Sequence, residues 1–358
     1  MSLRIMIRSV YRKLVPNAIR SRLTPIILNT IGRLSNNRGK EQHRVTFGPY
    51  NGDKVFYLIR VETDTFGLFA ITSTVLDHIQ YAKAKGWIPV VDMLNYYASS
   101  MQDTANKYRR NAWELYYEPL NEYSLSEVYK SRHVVLSSML CEPYCKVRMA
   151  GYPHYDDEQL MYLHGFFEEN IKIRQDILEE AERRYQQLIG GKKALGVAYR
   201  AQFTVLDQWD ADWEYDHPKQ SDLEEYAEDI KCTMMQEGYD CIFLATDDRK
   251  TADYFKETMN DKCIKMERKL FHHSDNDSDD GSKIFEEFEI EPTMQVYGKP
   301  VTFDREEIAR DYLIETLILS RCDGLLASMS GNVKFALVWN GGKYRTVKIY
   351  NSGVMARE

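Results

Sequence analysis

A chain of 358 residues with 44% hydrophobic and 28% charged residues has the composition of a folded globular protein, which argues against intrinsic disorder. Its net charge of −7 argues against general binding to nucleic acid. No run approaches the 18 apolar residues that a membrane-spanning helix requires. The N-terminus lacks the uninterrupted apolar core and the cleavage site of a secretory signal, so we expect none. The length suits two domains.

A basic segment opens the chain. Residues 1–45 contain ten Lys or Arg side chains and a single acidic one, Glu41, with apolar residues between them. Such a segment either forms an amphipathic helix, broken by Pro16 and Pro25, that lies on an anionic membrane surface, or is a basic, partly ordered arm. The sequence leaves both interpretations open.

Residues 46–191 follow an α/β pattern and form the first predicted domain. Apolar runs and turn residues predict strands over 54–60, 87–92 and 133–137, a helix over 68–85 and a long polar helix over 155–190. The step Gly190-Gly191, which precedes the next strand, marks the predicted domain boundary.

Residues 192–358 show the same α/β pattern and form the second predicted domain. Ser221-Asp-Leu-Glu224 has the capping-box pattern of a helix start. The other predicted helices begin at Thr251 or span 304–321 and 331–339, and the predicted strands span 194–200, 240–246, 263–267, 323–327 and 345–350. We therefore predict two Rossmann-like α/β domains that face each other across a cleft.

Polar residues follow three of these strands. Arg200 ends the first, Thr246-Asp-Asp248 ends the second, and Ser328-Met-Ser-Gly-Asn332 follows the third and opens a helix. Carboxyl ends of parallel strands meet at one edge of a sheet, and a guanidinium and a helix N-terminus both bind phosphate. The pattern predicts a nucleotide site with Arg200, Thr246, Asp247, Asp248, Ser328, Ser330, Gly331 and Asn332.

Less specific interpretations remain for the same residues. Arg200 could pair with a carboxylate of the cleft, and Asp247 or Asp248 could simply cap the following helix. The six cysteines are scattered, and the close pair Cys141 and Cys145 has no second pair to complete a zinc site. We predict no metal site.

Taken in order, the motifs of residues 194–340 resemble those of the fucosyltransferase superfamily of GT-B glycosyltransferases, nearest its α1,6-fucosyltransferases and its bacterial nodulation enzymes. Val197-Ala-Tyr-Arg200 leads to His217 and then to Glu224-Glu-Tyr226, and the family's Leu-Ala-Thr-Asp-Asp is intact as residues 244–248. Outside this range only the unit 54–92, with the loop around Gly67, looks similar.

The family's last two motifs have counterparts in Glu315-Thr-Leu-Ile-Leu-Ser320 and in Ser328-Met-Ser330-Gly-Asn332. The sequence departs from the family elsewhere. Its first motif has Ala198 in place of a His and Ala201 in place of a second Arg, and Glu315 replaces an Asp.

The resemblance implies a metal-independent inverting glycosyltransferase that moves fucose from GDP-fucose to a glycan hydroxyl in cell-surface polysaccharide synthesis. It implies that Arg200 holds the donor phosphate, that His217 and Asp247 lie near GDP, and that Glu214 is the catalytic carboxylate. It also implies that Gly67 and Glu315 are donor-binding residues. With the basic segment, it implies a cytoplasmic protein on the inner membrane leaflet. Alternatives are a transferase for another nucleoside-diphosphate sugar and a catalytically silent nucleotide- or glycan-binding relative.

Overall fold

The computed structural model describes residues 38–61, 67–96, 110–139, 143–200, 220–268, 294–296, 299–301 and 305–353. These residues form two α/β units, which confirms the predicted fold class. No helix within them is both long and apolar enough to cross a bilayer. Residues 1–37 of the predicted basic segment lie outside the described ranges.

The first unit contains a four-stranded sheet in the order β1-β4-β2-β3. Its strands are β1 (His43–Val45), β2 (Phe56–Ile59), β3 (Ile88–Val91) and β4 (Val134–Leu136). Strands β4, β2 and β3 are parallel, and β1 pairs antiparallel with β4. The last residues of the predicted basic segment, 43–45, therefore belong to this sheet.

Helix α1 (Leu68–Ala84) joins β2 to β3, and the short α2 (Leu125–Val128) precedes β4. The predicted helix over 155–190 is two helices, α3 (Asp157–Asn170) and α4 (Gln175–Leu188). Ile173 makes an antiparallel bridge to Tyr117 between them. Ile171 and Ile173 are buried, so an extended segment that pairs with the 116–118 backbone interrupts the helix.

The second unit contains a five-stranded sheet in the order β11-β10-β5-β6-β7, and every pair in it is parallel. Its strands are β5 (Ala194–Ala198), β6 (Cys241–Ala245), β7 (Cys263–Lys265), β10 (Gly324–Ser328) and β11 (Thr346–Tyr350). The three central strands are wholly buried, as their continuous apolar runs predict.

The helices of this unit are α5 (Leu223–Glu237), α6 (Arg249–Met259), α7 (Arg305–Leu319) and α8 (Gly331–Asn340), and β8 (Met294–Val296) pairs antiparallel with β9 (Lys299–Val301). The predicted capping box at Ser221 is wrong, because Asp222 is the N-cap of α5 and accepts from the backbone N–H groups of Glu224 and Glu225. Helix α6 begins at Arg249, two residues before the predicted Thr251.

One buried apolar cluster extends through both units. Phe69 of α1 stacks on Phe335 of α8, with ring centroids 4.8 Å apart, and Phe167 of α3 packs edge-on against Trp339. Helix α4 packs along α7. The two units therefore share a core, and helices α3 and α4, from the first predicted domain, cover helices of the second.

Candidate nucleotide-binding site

The carboxyl ends of three neighbouring strands, β10, β5 and β6, form one polar pocket. Five residues that the sequence singles out line it together: Arg200, Thr246, Asp247, Ser330 and Asn332. Strand order explains the convergence, since β5 lies between β10 and β6 and all three strands point the same way.

Arg200 and Asp247 face each other in this pocket as a loose ion pair. Arg200 Nε lies 3.9 Å from Asp247 Oδ2, which is longer than a hydrogen bond. The Arg200 side chain is 36% exposed, and that of Asp247 is 19% exposed. Burial disfavours the charged guanidinium, but attraction to Asp247, with smaller contributions from Tyr152 and Tyr312, raises the pKa of Arg200 above its ordinary value. The guanidinium stays charged, and its Nε makes no hydrogen bond to Asp247 Oδ2.

The N-terminus of α8 contributes to the same pocket. Ser330 is the N-cap residue, with extended backbone angles, but its side chain does not cap the helix. Its hydroxyl instead donates to Asn332 Oδ1 at 2.6 Å. The first-turn amides therefore keep the partial positive charge of a helix N-terminus at the pocket wall, where an anion is favoured.

The side chain of Asp248 caps a helix, whereas that of the preceding residue, Asp247, lines the pocket. Its Oδ2 accepts from the backbone N–H of Thr251 at 2.7 Å and from the Thr251 hydroxyl at 2.6 Å, so Asp248 is the N-cap of α6. Thr246 Oγ1 in turn accepts from the Asp248 N–H at 3.3 Å. The capping interpretation holds for Asp248, and this cap fixes the turn that presents Asp247 to the pocket.

A second guanidinium reaches the pocket from the next strand. Arg268 lies three residues beyond β7 and forms a bidentate pair with Glu315 of α7, at 3.0 and 2.9 Å. Both side chains are buried, at 6% and 1% exposed. Burial raises the pKa of Glu315, and the two charged hydrogen bonds from Arg268 oppose that rise. Glu315, predicted as a donor-binding residue, does not itself line the pocket and holds Arg268 there.

The first unit approaches the pocket through the start of α1. Gly67 is the N-cap residue of this helix. Phe69, two residues later, packs edge-on against Tyr312 with ring centroids 4.9 Å apart, and Tyr312 lines the pocket. A Cβ on Gly331, the first residue of α8, would lie 3.2 Å from Phe69 Cβ. Gly331 therefore stands where the two units meet, and neither of the predicted residues Gly67 and Gly331 lines the pocket.

Helix α8 is also held by a buried lysine. Lys334 Nζ donates to the carbonyl oxygens of Met149 at 2.5 Å and Gly151 at 2.8 Å. The carboxylate of Asp77 on α1 accepts from the backbone N–H groups of Met149 and Ala150. Burial lowers the pKa of Lys334 to about 8, although the Asp77 charge opposes that shift. The 149–151 segment thus ties α8 to α1.

The remaining predicted residues have other positions. Ser328 is buried at the end of β10 and does not line the pocket. The predicted catalytic Glu214 and the predicted donor residue His217 lie outside the described residues. Within the described ranges, no group of three His, Cys, Asp or Glu side chains is arranged to hold a metal ion.

Arg268 and Tyr312 line the pocket but were not predicted from the sequence. A usable signal existed for Arg268, because it follows the short strand β7 just as Arg200 follows β5. Tyr312 carries no such signal, since only the packing of α7 across the sheet brings it to the pocket.

No family model matches the sequence, and no curated protein does. Among solved structures, the chain aligns with the α1,6-fucosyltransferase NodZ soaked with GDP-fucose, at 14% identity and a TM-score of 0.42, over 80% of this chain and 93% of that one. It also aligns with fucosyltransferase NodZ from Bradyrhizobium, at 14% identity, 79% and 92% coverage and a TM-score of 0.41.

A third alignment is with POFUT1 in complex with GDP, at 11% identity and a TM-score of 0.35, over 84% of this chain and 75% of that one. Fucosyltransferases, which the motifs of residues 194–340 resemble, are thus also among the solved structures with which the chain aligns.

Proposed function

We propose that the protein is an inverting glycosyltransferase that moves fucose from GDP-fucose to a glycan hydroxyl. The observation that carries the proposal is the pocket where Arg200, Asp247 and the N-terminus of α8 converge at the carboxyl edge of a parallel sheet. This edge is where open α/β sheets bind nucleotides. The sequence motifs that resemble the fucosyltransferases supply residues of this same pocket.

In the proposed reaction the acceptor hydroxyl oxygen attacks the anomeric carbon of the sugar. The bond from that carbon to the β-phosphate oxygen breaks, and its electron pair leaves with the nucleoside diphosphate. Negative charge therefore grows on the leaving group in the transition state. Arg200 and the first-turn amides of α8 would stabilise it, and fixed donors of this kind are effective because they need no reorganisation.

The same residues supply the charge stabilisation that other transferases obtain from a divalent cation, and we propose that turnover needs no metal. The acceptor proton goes to a carboxylate, for which Glu214 is the candidate, because an attacking hydroxyl gains nucleophilicity as a base removes its proton. Asp247 would contact the base or the ribose, and His217 would lie near the diphosphate.

The experiment is calorimetric titration of the wild type and of Arg200→Ala with GDP, UDP and CMP, each with magnesium or with EDTA. We expect GDP binding that survives EDTA and is lost in the variant. Preference for another nucleotide would discard fucose and keep a nucleotide-sugar transferase. GDP binding without donor turnover across an acceptor screen would instead favour a silent binding protein.

We further propose that the basic segment places the enzyme on the anionic inner leaflet of the membrane, near acceptors for cell-surface polysaccharide. The support is the ratio of ten basic side chains to one acidic side chain in residues 1–45. Deletion of residues 1–37 spares strand β1 and should abolish sedimentation with phosphatidylglycerol vesicles at low salt. Equal sedimentation of both forms would refute this placement, and phosphatidylcholine vesicles serve as the control.

A further inference from the structure

We infer that Arg268 is a second phosphate-binding guanidinium of this site and that the Arg268–Glu315 pair exists to orient it toward the diphosphate. The inference rests on the proposed nucleotide function and adds a binding residue to it. The motif that Arg200 belongs to lacks its second arginine, since Ala201 stands in that place. Arg268, from a different strand end, brings another guanidinium to the same pocket.

Arg268 lines the pocket, and its hydrogen bonds to described residues use only part of its guanidinium. Glu315 accepts from Nε and Nη2, and the carbonyl oxygen of Thr246 accepts from Nη2 at 2.8 Å. None of these three contacts uses Nη1. Arg268 also lies over the Tyr312 ring, 5.7 Å from its centroid, so its plane is fixed on one side by an aromatic face. A guanidinium held in this way loses little side-chain entropy when an anion arrives.

A purely structural ion pair would be a weak explanation for this arrangement. Burying two charges in a pair is often no more stabilising than packing two apolar side chains in the same space. Arg268, however, is placed where the pocket needs positive charge, because Asp247 already opposes Arg200 there. Before a nucleotide binds, Glu315 neutralises the charge of Arg268 and Asp247 opposes that of Arg200. The charges at the pocket therefore balance until a phosphate adds its own negative charge.

The affinity for the diphosphate must therefore depend on Arg268, and the affinity for the nucleoside must not. We would titrate guanosine, GDP and inorganic pyrophosphate into the wild type, Arg268→Lys and the double variant Arg268→Met/Glu315→Met. Lysine keeps a charge beside Glu315 but cannot span the carboxylate and a phosphate together. The double variant removes both charges, so no buried carboxylate is left unpaired.

We expect both variants to bind GDP and pyrophosphate about ten- to hundredfold more weakly, the effect of losing a charged hydrogen bond, and to bind guanosine as the wild type does. Arg184→Met is the matched control, because Arg184 also forms ion pairs, with the carboxylates of Glu180 and Asp311, but does not line the pocket. Its nucleotide affinities should equal those of the wild type.

The outcomes separate this inference from the proposed function. If the wild type binds neither GDP nor pyrophosphate, both are wrong. If the wild type binds GDP and the Arg268 variants keep the same preference for GDP over guanosine, the inference alone is overturned. An equal loss of GDP and guanosine affinity would also overturn it, because that result marks a structural role.

Discussion

Gly331, at the start of α8, lies so close to Phe69 of α1 that a Cβ on the glycine would stand 3.2 Å from the Phe69 Cβ. This contact joins the first helix of one unit to the helix N-terminus of the other that lines the pocket. The Phe69 Cβ is attached directly to the α1 backbone, so it cannot move aside as the end of a flexible side chain would. The spacing of the two units at the pocket thus depends on a residue without a Cβ, glycine, at position 331.

Gly331→Ala should therefore push α8 away from α1 and destabilise the fold by about 1–2 kcal/mol, the usual cost of overpacking. Gly165→Ala is the matched control: Gly165 also lies in a helix, and a Cβ there meets nothing within 4 Å. That control should be stabilising by about 0.5–1 kcal/mol through helix propensity. Urea unfolding measures both, and equal shifts in the two variants would contradict the role given to the contact.

Arg200→Ala should lower kcat/KM by the loss of about 2–4 kcal/mol of transition-state stabilisation, as when one oxyanion donor is removed. Arg200→Lys should recover only part of the loss, because an ammonium cannot hold a phosphate with two parallel hydrogen bonds. Initial rates with subsaturating donor measure kcat/KM, and circular dichroism checks the fold. Normal turnover in the alanine variant would exclude the mechanism.

Asp248→Ala should destabilise the protein by about 1 kcal/mol through loss of the α6 cap, and it should also weaken GDP binding because the cap holds the turn that carries Asp247. Asp222→Ala removes the corresponding N-cap of α5 and is the control. It should cost similar stability but leave GDP affinity unchanged. Thermal unfolding and calorimetry together test this, and a GDP defect of equal size in both variants would argue against a positioning role.

The lowered pKa of Lys334 predicts that the free energy of unfolding increases at alkaline pH. Burial lowers the pKa of Lys334 to about 8 in the folded protein, below its ordinary 10.5, so between these values the unfolded chain binds the extra proton. Stability should therefore rise with pH from 8 toward 10.5, by up to about 1.4 kcal/mol per pH unit from this group.

Lys334→Met removes the titrating group, so its free energy of unfolding should lack this rise. Urea unfolding of both proteins at pH 7.5, 8.5 and 9.5 measures the difference between them. If that difference did not change with pH, Lys334 would not be the buried titrating group that the structure describes.

The sequence by itself determined most of the central strands, several of the helices around them and the polar residues that follow three of the strands. These features depend on local periodicity and on turn residues, which are readable without knowing what packs where. Arg200, Asp247 and Ser330 could be placed in one site because parallel strands share a carboxyl edge. The motif resemblance depended on the same local segments.

Only the tertiary structure decided which side chains meet across long separations in the chain. The bidentate pair of Arg268 and Glu315 and the approach of Phe69 to Gly331 depend on helix packing, which no local pattern encodes. The extended segment at Ile173 likewise forms because a distant backbone, near Tyr117, offers hydrogen-bond partners there. A single sequence shows which secondary structure and which kind of hydrogen-bond or packing partner each residue favours. The fold determines which distant residue becomes that partner.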